Sequence, residues 1–326
     1  MISLPSSDPW LPCSSARVCV LLAILALTAC APRETWVHRT FMIDRTLSSL
    51  HEVSIDTPAG AIPTLTGGRG EPLVLIHGFG GDKDNWTRMA RHLKERFTIW
   101  APDLLGFGEA PKDSGADYHI HAQAERVLAW ADAAHLRRFH VGGNSMGGYI
   151  AGDLAANHPD RVLSLWLIDP AGVRDAKPGL VEQAYRENGS IIMAVDSRTA
   201  YRAMLELIFN DAPPWIPGFV LDSLADQAVH DRVLRMKVFR DLADQAQPQL
   251  NELLPKVQVP TMLVWGERDQ VVDVSGVSVL QKVQPALYAV VMPDTGHAPM
   301  LDKPGVVAAD YLRFHDRFAA RTGSLN

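Results

Sequence analysis

The sequence predicts an α/β fold, in which helices cover both faces of a mostly parallel, doubly wound sheet and a helical cap is inserted after the sixth strand. Short apolar runs alternate with helical patterns in the first half of the 326 residues, as in parallel sheets whose strands are joined by crossover helices. Residues 72–76 are all apolar, which is typical of a strand buried on both faces. Between about 171 and 255 only helical patterns occur, and the strand pattern then resumes at Thr261.

The spacing of apolar residues sets the expected elements. Strands are expected at 51–56, 61–66, 72–76, 97–101, 138–141, 162–168, 261–265 and 287–292. Helices are expected at 85–95, where Asp84 is the candidate N-cap, and at 119–133, 149–157, 178–186, 198–209, 218–227, 231–244 and 305–319. We therefore expect a core formed by residues 51–170 and 256–326, and a cap formed by residues 171–255.

The cap sequence is rich in large apolar side chains, most of them methionine or aromatic. Small-molecule sites are mostly apolar, so we expect roughly a third of these side chains to face a pocket and the others to form the cap's own core. The set consists of Tyr185, Met193, Met204, Phe209, Trp215, Ile216, Phe219, Met236 and Phe239.

Composition narrows the functional classes. The chain is 47% hydrophobic and 21% charged, which is ordinary for a globular protein. Its formal net charge is −6 and it has no long basic run, which argues against nucleic acid as a partner. The three cysteines, Cys13, Cys19 and Cys30, all lie near the start, so the body of the protein has no disulfide available within it.

The first 29 residues have the pattern of a secretory signal. An apolar run at 18–29 follows Arg17; it is short for a membrane-spanning helix and has the length and flanks of a signal-peptide core. The run ends in Leu-Thr-Ala-Cys30, which resembles the bacterial lipoprotein processing box. The resemblance implies removal of residues 1–29 and lipid modification of Cys30. Residues 30–50 are mostly polar with few turn signals, so we expect them to form a tether and the first contacts with the core.

A lipidated Cys30 makes the protein an exported, membrane-anchored lipoprotein of the cell envelope, because several acyl chains together anchor a protein firmly. Residue Ala31 is not the aspartate that favours retention in the inner membrane in such lipoproteins, which favours the outer membrane. The alternatives are an uncleaved helix that anchors the protein in the inner membrane facing the periplasm, or a plain signal peptide cut nearby.

A serine motif joins the fifth expected strand to the next helix. Gly143-x-Ser145-x-Gly147 stands in the strand–turn–helix context that this pattern requires. The sharp turn strains the backbone at the serine, and the two glycines remove side chains that would collide with the neighbouring strand and helix. The serine hydroxyl is then held at the edge of the sheet, where the helix N-terminus favours developing negative charge. The alternative is a tight turn with an ordinary serine.

A nucleophilic serine needs a base, and the base needs an acid that holds its tautomer. The chain order Ser145, Asp269, His297 is the order expected of a doubly wound hydrolase sheet. Each residue follows a strand, and loops at the carboxyl ends of parallel strands meet at one edge. We therefore expect Asp269 as the acid and His297 as the base. Asp169, which also ends a strand, is the alternative acid, or else a cap at the start of the insertion.

The oxyanion that forms during such chemistry needs two backbone N–H donors. The first is expected from Met146, the residue after the serine, and the second from Phe79 in the glycine-rich loop after the third strand. A single Gly-x-Gly in this loop is poor evidence for a phosphate site. We expect neither a metal nor a cofactor.

Together these motifs resemble the α/β-hydrolase fold superfamily, from about residue 50 to the end of the chain. The motifs that carry the resemblance are His77-Gly78-Phe79-Gly80, Asp103-x-x-Gly106-x-Gly108, Gly143-Asn144-Ser145-Met146-Gly147-Gly148, Gly266-x-x-Asp269 and Gly296-His297. The arrangement is similar to bacterial membrane-associated lipases and esterases and to monoacylglycerol-lipase-like hydrolases. The resemblance implies ester hydrolysis through an acyl-enzyme, with the cap shaping acyl specificity.

Two other functions stay open at this point. Gly-Asn-Ser-Met-Gly-Gly also occurs in carbon–carbon bond hydrolases of aromatic ring-fission products, although an export signal argues against a cytoplasmic catabolic enzyme. A non-catalytic binding member of the fold is the second alternative, although such members usually lose part of the triad. An aspartate nucleophile is disfavoured because Ser145 occupies that position. Export with a lipid anchor favours substrates near a membrane: acylglycerols, lysophospholipids or exogenous fatty esters.

Overall fold

The structure is a computed structural model that describes residues 33–209 and 216–323. The predicted signal peptide, Cys30 and Trp215 lie outside the described residues. Within the described ranges, no helix combines the length and the apolar character needed to cross a bilayer.

The described strands form one eight-stranded sheet in the order β1-β2-β4-β3-β5-β6-β7-β8. The strands are β1 His51–Thr57, β2 Gly60–Gly68, β3 Glu71–Ile76, β4 Phe97–Pro102, β5 Phe139–Asn144, β6 Val162–Ile168, β7 Thr261–Gly266 and β8 Tyr288–Met292. Strand β2 runs antiparallel to β1 and β4, whereas all pairs from β4 to β8 are parallel. The predicted mostly parallel sheet is therefore confirmed.

Twelve α-helices lie within the described residues, and short 3₁₀ turns occur at Lys83–Trp86 and Leu254–Lys256. The helices are α1 Arg33–Leu47, α2 Thr87–Leu93, α3 Ile120–Ala133, α4 Met146–Asn157, α5 Leu180–Asn188, α6 Arg198–Phe209, α7 Gly218–His230, α8 Arg232–Leu242, α9 Leu250–Leu253, α10 Gly276–Val283, α11 Pro299–Asp302 and α12 Pro304–Gly323. Helices α5 to α9 lie between β6 and β7, which confirms a helical insertion after the sixth strand. The boundaries 171 and 255 stay a prediction.

The alternation of side chains along the central strands explains why helices cover both faces. In β3, Val74 and Ile76 belong to the apolar cluster that includes side chains of α3 and α4. Leu73 and Leu75 point the other way, into the cluster that includes side chains of α2 and α12. Strands β5 and β7 are buried along their whole length. The cap helices build a third cluster of their own.

One expected helix start is wrong. Asp84 was the candidate N-cap of a helix at 85–95, but the chain turns into a 3₁₀ helix two residues earlier, and the side chain of Asp82 accepts the hydrogen bond from the Asp84 N–H at 2.9 Å. The Asp84 carboxylate instead binds the guanidinium of Arg45, with Nε–Oδ1 and Nη2–Oδ2 distances of 2.7 and 2.6 Å. A bidentate ion pair with a distant helix has taken the place of the local cap.

The segment expected to act as a tether contains α1. Arg45, near the end of α1, also donates to the carboxylate of Glu52 at 2.9 Å, so this helix is tied by ion pairs to β1 and to the loop before α2. These contacts hold α1 against the core although its sequence has little amphipathic character.

A buried ion pair fixes the loop after β4. Lys83 and Asp103 are each 1% exposed, and the Lys83 Nζ lies 2.9 Å from Asp103 Oδ2. The same carboxylate accepts hydrogen bonds from the backbone N–H groups of Lys83 and Glu109. A Cβ on Gly108 would lie 2.4 Å from this carboxylate, which explains the second glycine of the Asp-x-x-Gly-x-Gly motif.

Asp103→Asn should lower the free energy of unfolding by about 3 kcal/mol, because it leaves the buried Lys83 ammonium without its buried counter-charge. Urea unfolding measures the change. Glu109→Gln is the matched control: its carboxylate also binds Lys83, at 2.6 Å, but is 65% exposed, so its loss should cost about 1 kcal/mol or less. Equal losses in the two variants would contradict the assignment of stability to the buried pair.

Candidate active site

Ser145 occupies a strained turn between β5 and α4. Its backbone angles are φ 55° and ψ −120°, a conformation that side-chain-bearing residues seldom adopt. The glycines two residues away are sterically required: a Cβ on Gly143 would lie 2.2 Å from the carbonyl oxygen of Gly147, and one on Gly147 would lie 2.2 Å from that of Ile76. The turn therefore presents the Ser145 side chain beyond the end of β5, before the first turn of α4.

His297 and Asp269 meet at the same edge of the sheet. The Nδ1 of His297 lies 2.7 Å from Asp269 Oδ2, and the two residues are 4% and 7% exposed. The other carboxylate oxygen, Oδ1, accepts hydrogen bonds from the backbone N–H groups of Val271 and Val272, at 2.8 and 3.1 Å. Asp269 is thus held in place by its own loop through Oδ1, and its Oδ2 fixes the orientation of the His297 imidazole.

Ser145 and His297 line the same cavity, and Asn144 ties their loops together. The Asn144 amide donates one hydrogen bond to the carbonyl oxygen of Ile168 at 3.1 Å and one to that of His297 at 3.0 Å. The backbone N–H of His297 donates to the carbonyl oxygen of Ile208, at the end of α6, at 2.8 Å. The histidine loop is therefore held from both sides, by the serine turn and by the cap.

His77 orients the loop that contains Phe79. The backbone N–H of Leu104 donates to His77 Nε2 at 3.0 Å, so the ring proton is on Nδ1, which donates to the carbonyl oxygen of Gly78 at 2.8 Å. Complete burial lowers the pKa of His77 and keeps the ring neutral. Since the C=O and N–H of a trans peptide point in opposite directions, the Phe79 N–H points away from His77.

The backbone N–H groups of Phe79 and Met146 are both available to a ligand. Within the described residues, neither N–H donates a hydrogen bond. Met146 begins α4, where backbone N–H groups lack intrahelical acceptors and the helix dipole favours negative charge. Phe79 lies in a loop in contact with the serine turn: a Cβ on Gly78 would lie 3.2 Å from that of Ser145.

Two cavities meet at Ser145. The first, which we call the α6 cavity, has a volume of about 190 Å³ and lies between α1, α6, α7 and the Phe79 loop. The second, the α5 cavity, has a volume of about 240 Å³ and lies between α5, α8 and the loop after β6. Ser145, Phe79 and Met193 line both cavities. A substrate at Ser145 can therefore extend in two directions.

Six of the eight described members of the cap's large apolar set line these cavities, more than the expected third. The lining members of the set are Tyr185, Met193, Met204, Phe209, Ile216 and Phe239. Only Phe219 and Met236, among the members that the structure describes, lie away from both cavities. The reason is that the same side chains both form the apolar core of the cap and line the cavities.

Comparison with known proteins supports the assignment that this geometry suggests. The model of the α/β-hydrolase fold family matches residues 71–304. The chain belongs to this family.

Relatives of this α/β-hydrolase cover most of its length. "Lipase 3" of Moraxella sp. (strain TA144) is 37% identical over 249 residues, which are 76% of this chain and 78% of the relative. "Monoacylglycerol lipase abhd6-B" of Xenopus laevis is 31% identical over 251 residues, or 72% and 74% of the two chains. The crystal structure of "a membrane phospholipase A, a novel bacterial virulence factor" superimposes with a TM-score of 0.85 at 38% identity, over 92% of this chain and 97% of that one. The predicted fold and family are therefore confirmed.

Asp169, the alternative acid, lies beside Asp269 in this hydrolase. Its Oδ1 accepts a hydrogen bond from the Gly266 N–H at 2.7 Å, whereas its Oδ2 is buried and receives no hydrogen bond from any described donor. Polar side-chain atoms of Asp169, Asp269 and His297 all lie within 4.8 Å of one another. Burial and the neighbouring Asp269 carboxylate raise the pKa of Asp169 well above its ordinary value, which favours the neutral, protonated form of Asp169.

The three side chains are close enough to surround a cation in geometric terms. The hydrogen bonds that Asp269 makes to His297 and to two backbone N–H groups already occupy the oxygens that would bind one. The cluster therefore fits a hydrogen-bonded chain of acid, acid and imidazole better than a metal site.

Asp169→Asn should increase stability at neutral pH and flatten its pH dependence. In the unfolded chain the carboxyl group loses its proton near the ordinary pKa of 3.8, whereas the folded protein keeps it to higher pH. The free energy of unfolding of the wild type should therefore fall as the pH rises above about 4, and asparagine removes this loss. Urea unfolding between pH 4 and pH 8 measures the difference, with the exposed Asp160→Asn as control. Parallel curves for Asp169→Asn and wild type would refute the assignment.

Sequence reasoning missed the positioning residues of this hydrolase. His77 and Asn144 belong to quoted motifs, but their hydrogen bonds to Gly78, Leu104, Ile168 and His297 depend on long-range packing. The contact of Ile208 with the histidine loop leaves no sequence signal, because it uses the backbone carbonyl.

Proposed function

We propose that this chain is a serine hydrolase that cleaves carboxylic esters of lipids through an acyl-enzyme. Ester cleavage of the lipase and esterase kind is supported by the relatives. The observation that carries the finer proposal is the Asp269–His297 hydrogen bond of 2.7 Å beside the cavity into which the strained Ser145 turn opens.

In the proposed mechanism, Ser145 Oγ attacks the ester carbonyl carbon while His297 Nε2 takes its proton. Asp269 accepts a hydrogen bond from His297 Nδ1 and stabilises the imidazolium that forms. The N–H groups of Phe79 and Met146 donate to the oxyanion, and each such donor is typically worth about 3 kcal/mol of transition-state stabilisation. The imidazolium then gives its proton to the leaving alcohol. Water attacks the acyl-enzyme by the same steps, which release the fatty acid and restore Ser145.

An activity-based probe and a substrate panel test the proposal. A fluorophosphonate should label the wild-type protein, and the protein should hydrolyse short and long p-nitrophenyl esters, monoacylglycerol and lysophospholipid. Absence of labelling would favour a non-catalytic binding protein. Labelling without turnover of any ester in the panel would favour the carbon–carbon bond hydrolase.

We also propose that the protein is an exported lipoprotein anchored through Cys30, which would bring the cavities close to membrane lipids. The support is the apolar run at 18–29 followed by Leu-Thr-Ala-Cys. Cells fed labelled palmitate should incorporate the label into the wild-type protein, and Cys30→Ala should abolish incorporation and retain the unprocessed signal. Equal labelling of the two proteins would contradict lipidation at this cysteine.

A further inference from the structure

Arg235 is a buried arginine to which the described residues offer neither a hydrogen bond nor an ion pair. It lies on α8, is 8% exposed, and lines the α6 cavity. Only coulombic attraction from a distance acts on its charge within the described part of the chain. Burying an unpaired charge costs stability, so the arrangement calls for a ligand or a functional explanation.

The two carboxylates that interact electrostatically with Arg235, those of Asp231 and Asp82, form hydrogen bonds or ion pairs with other residues. Asp231 binds the Lys112 ammonium at 2.7 Å and accepts a hydrogen bond from Gln227 at 2.8 Å. Asp82 accepts the hydrogen bond from the Asp84 N–H that caps the 3₁₀ turn. Both carboxylates attract the guanidinium from beyond ion-pair distance. Burial lowers the pKa of Arg235, which reports how poorly its charge is compensated.

The guanidinium lies against the Phe79 loop, in the cavity that Ser145 also lines. A Cβ on Gly80 would lie 3.0 Å from Arg235 Nη1, and Gly80 itself has a φ of +75°, so only a glycine lets Arg235 approach the loop this closely. Ser145 and Arg235 line the same cavity, so a group on the alcohol part of an ester bound at Ser145 can lie against Arg235 when that part occupies the α6 cavity.

Arg235 also distinguishes the two cavities. Among the described arginine and lysine side chains that line them, Arg235 alone is buried. The basic side chains of the α5 cavity, Arg174, Lys177 and Arg186, are all exposed to solvent at its mouth. One turn after Arg235, Phe239 lines the α5 cavity instead, so α8 separates a cavity with a buried positive charge from one without.

We propose that Arg235 binds a phosphate group on the alcohol part of the ester, so that acylated glycerophosphates are the preferred substrates over neutral acylglycerols. The inference rests on the proposed function and deepens it. A guanidinium offers a planar fork of N–H donors that matches two phosphate oxygens, and this pairing is strongest in a site that excludes water. The stability lost by burying Arg235 alone is recovered when the anion binds.

Two substrates with the same acyl chain test the inference: a monoacylglycerol and the corresponding 1-acylglycerol 3-phosphate. The measured quantity is the ratio of their kcat/KM values, phosphate substrate over neutral substrate. Arg235→Gln should lower this ratio roughly 10- to 100-fold, as expected for loss of hydrogen bonds to a charged group. Arg235→Lys should restore part of the ratio, because it keeps the charge and loses the fork. Arg240→Gln, the same change at an exposed position on α8, should leave the ratio unchanged.

An unchanged ratio in Arg235→Gln would overturn the inference, as would an equal loss of the ratio in Arg240→Gln. Thermal unfolding gives a second test, since removal of an unpaired buried charge should leave the melting temperature of Arg235→Gln equal to or above that of the wild type. A lower melting temperature would mean that the protein itself compensates the charge. If the wild type hydrolyses no ester of the panel above, the proposed function fails; if it hydrolyses esters of the panel but neither of these two substrates, or both with a ratio independent of Arg235, only this inference fails.

Discussion

Ser145→Ala should lower kcat for every ester that the wild type hydrolyses, by on the order of a millionfold, as expected for loss of the nucleophile in a serine hydrolase. Fluorophosphonate labelling should disappear with it. Alanine has the same Cβ as serine and carries no more strain at φ 55°, so the melting temperature should stay within a few degrees of the wild type.

Ser190→Ala is the matched control for this variant. Ser190 is an exposed serine in the loop after α5, so its loss should alter neither labelling nor turnover. Turnover by Ser145→Ala within about tenfold of the wild type would exclude Ser145 as the nucleophile, because the oxyanion donors and binding alone leave only a small residual rate.

Asp269→Asn should lower kcat by roughly ten-thousandfold, whereas Asp169→Asn should retain most of the activity. In Asp269→Asn, the amide oxygen should keep the hydrogen bonds from the Val271 and Val272 N–H groups, so the NH₂ group faces His297 Nδ1 and favours the wrong tautomer. In Asp169→Asn, the amide keeps an acceptor for the Gly266 N–H and supplies a donor toward Asp269 without a titrating proton.

Steady-state kinetics on one ester at pH 8 separates the two positions. A larger loss in Asp169→Asn than in Asp269→Asn would reverse their roles and make the strand-β6 aspartate the working acid. Circular dichroism spectra of both variants control for misfolding, since the two aspartates are both buried.

The sheet could be predicted because its strands carry a strong local signal. The runs at 72–76 and 162–168 are apolar almost throughout, and a buried parallel strand needs little else to be recognised. Once the strands are assigned, the positions of Ser145, Asp269 and His297 follow, since all three come after strands whose carboxyl ends share one edge.

The positioning of the site could not be predicted, because it depends on which residues meet in three dimensions. The Arg45–Asp84 ion pair joins residues 39 apart and displaced the local cap that propensity favoured. Nothing in the sequence distinguishes Arg235 from an exposed helix arginine. Its burial, and the lack of a described carboxylate within ion-pair distance, both depend on how the cap packs. The same holds for His77, whose role depends on the Leu104 N–H.

The hydrogen bond from the His297 N–H to the Ile208 carbonyl has a consequence for how substrate enters. Movement of α6 away from the sheet would leave that N–H without its acceptor, at a cost of about 1–3 kcal/mol if no water replaces it. The same movement would make the position of the His297 side chain less well defined. An open cap and a correctly positioned His297 are therefore mutually exclusive states of the protein. Substrate is therefore expected to enter while α6 stays packed on the histidine loop. Turnover should be fastest under conditions in which the cap opens least.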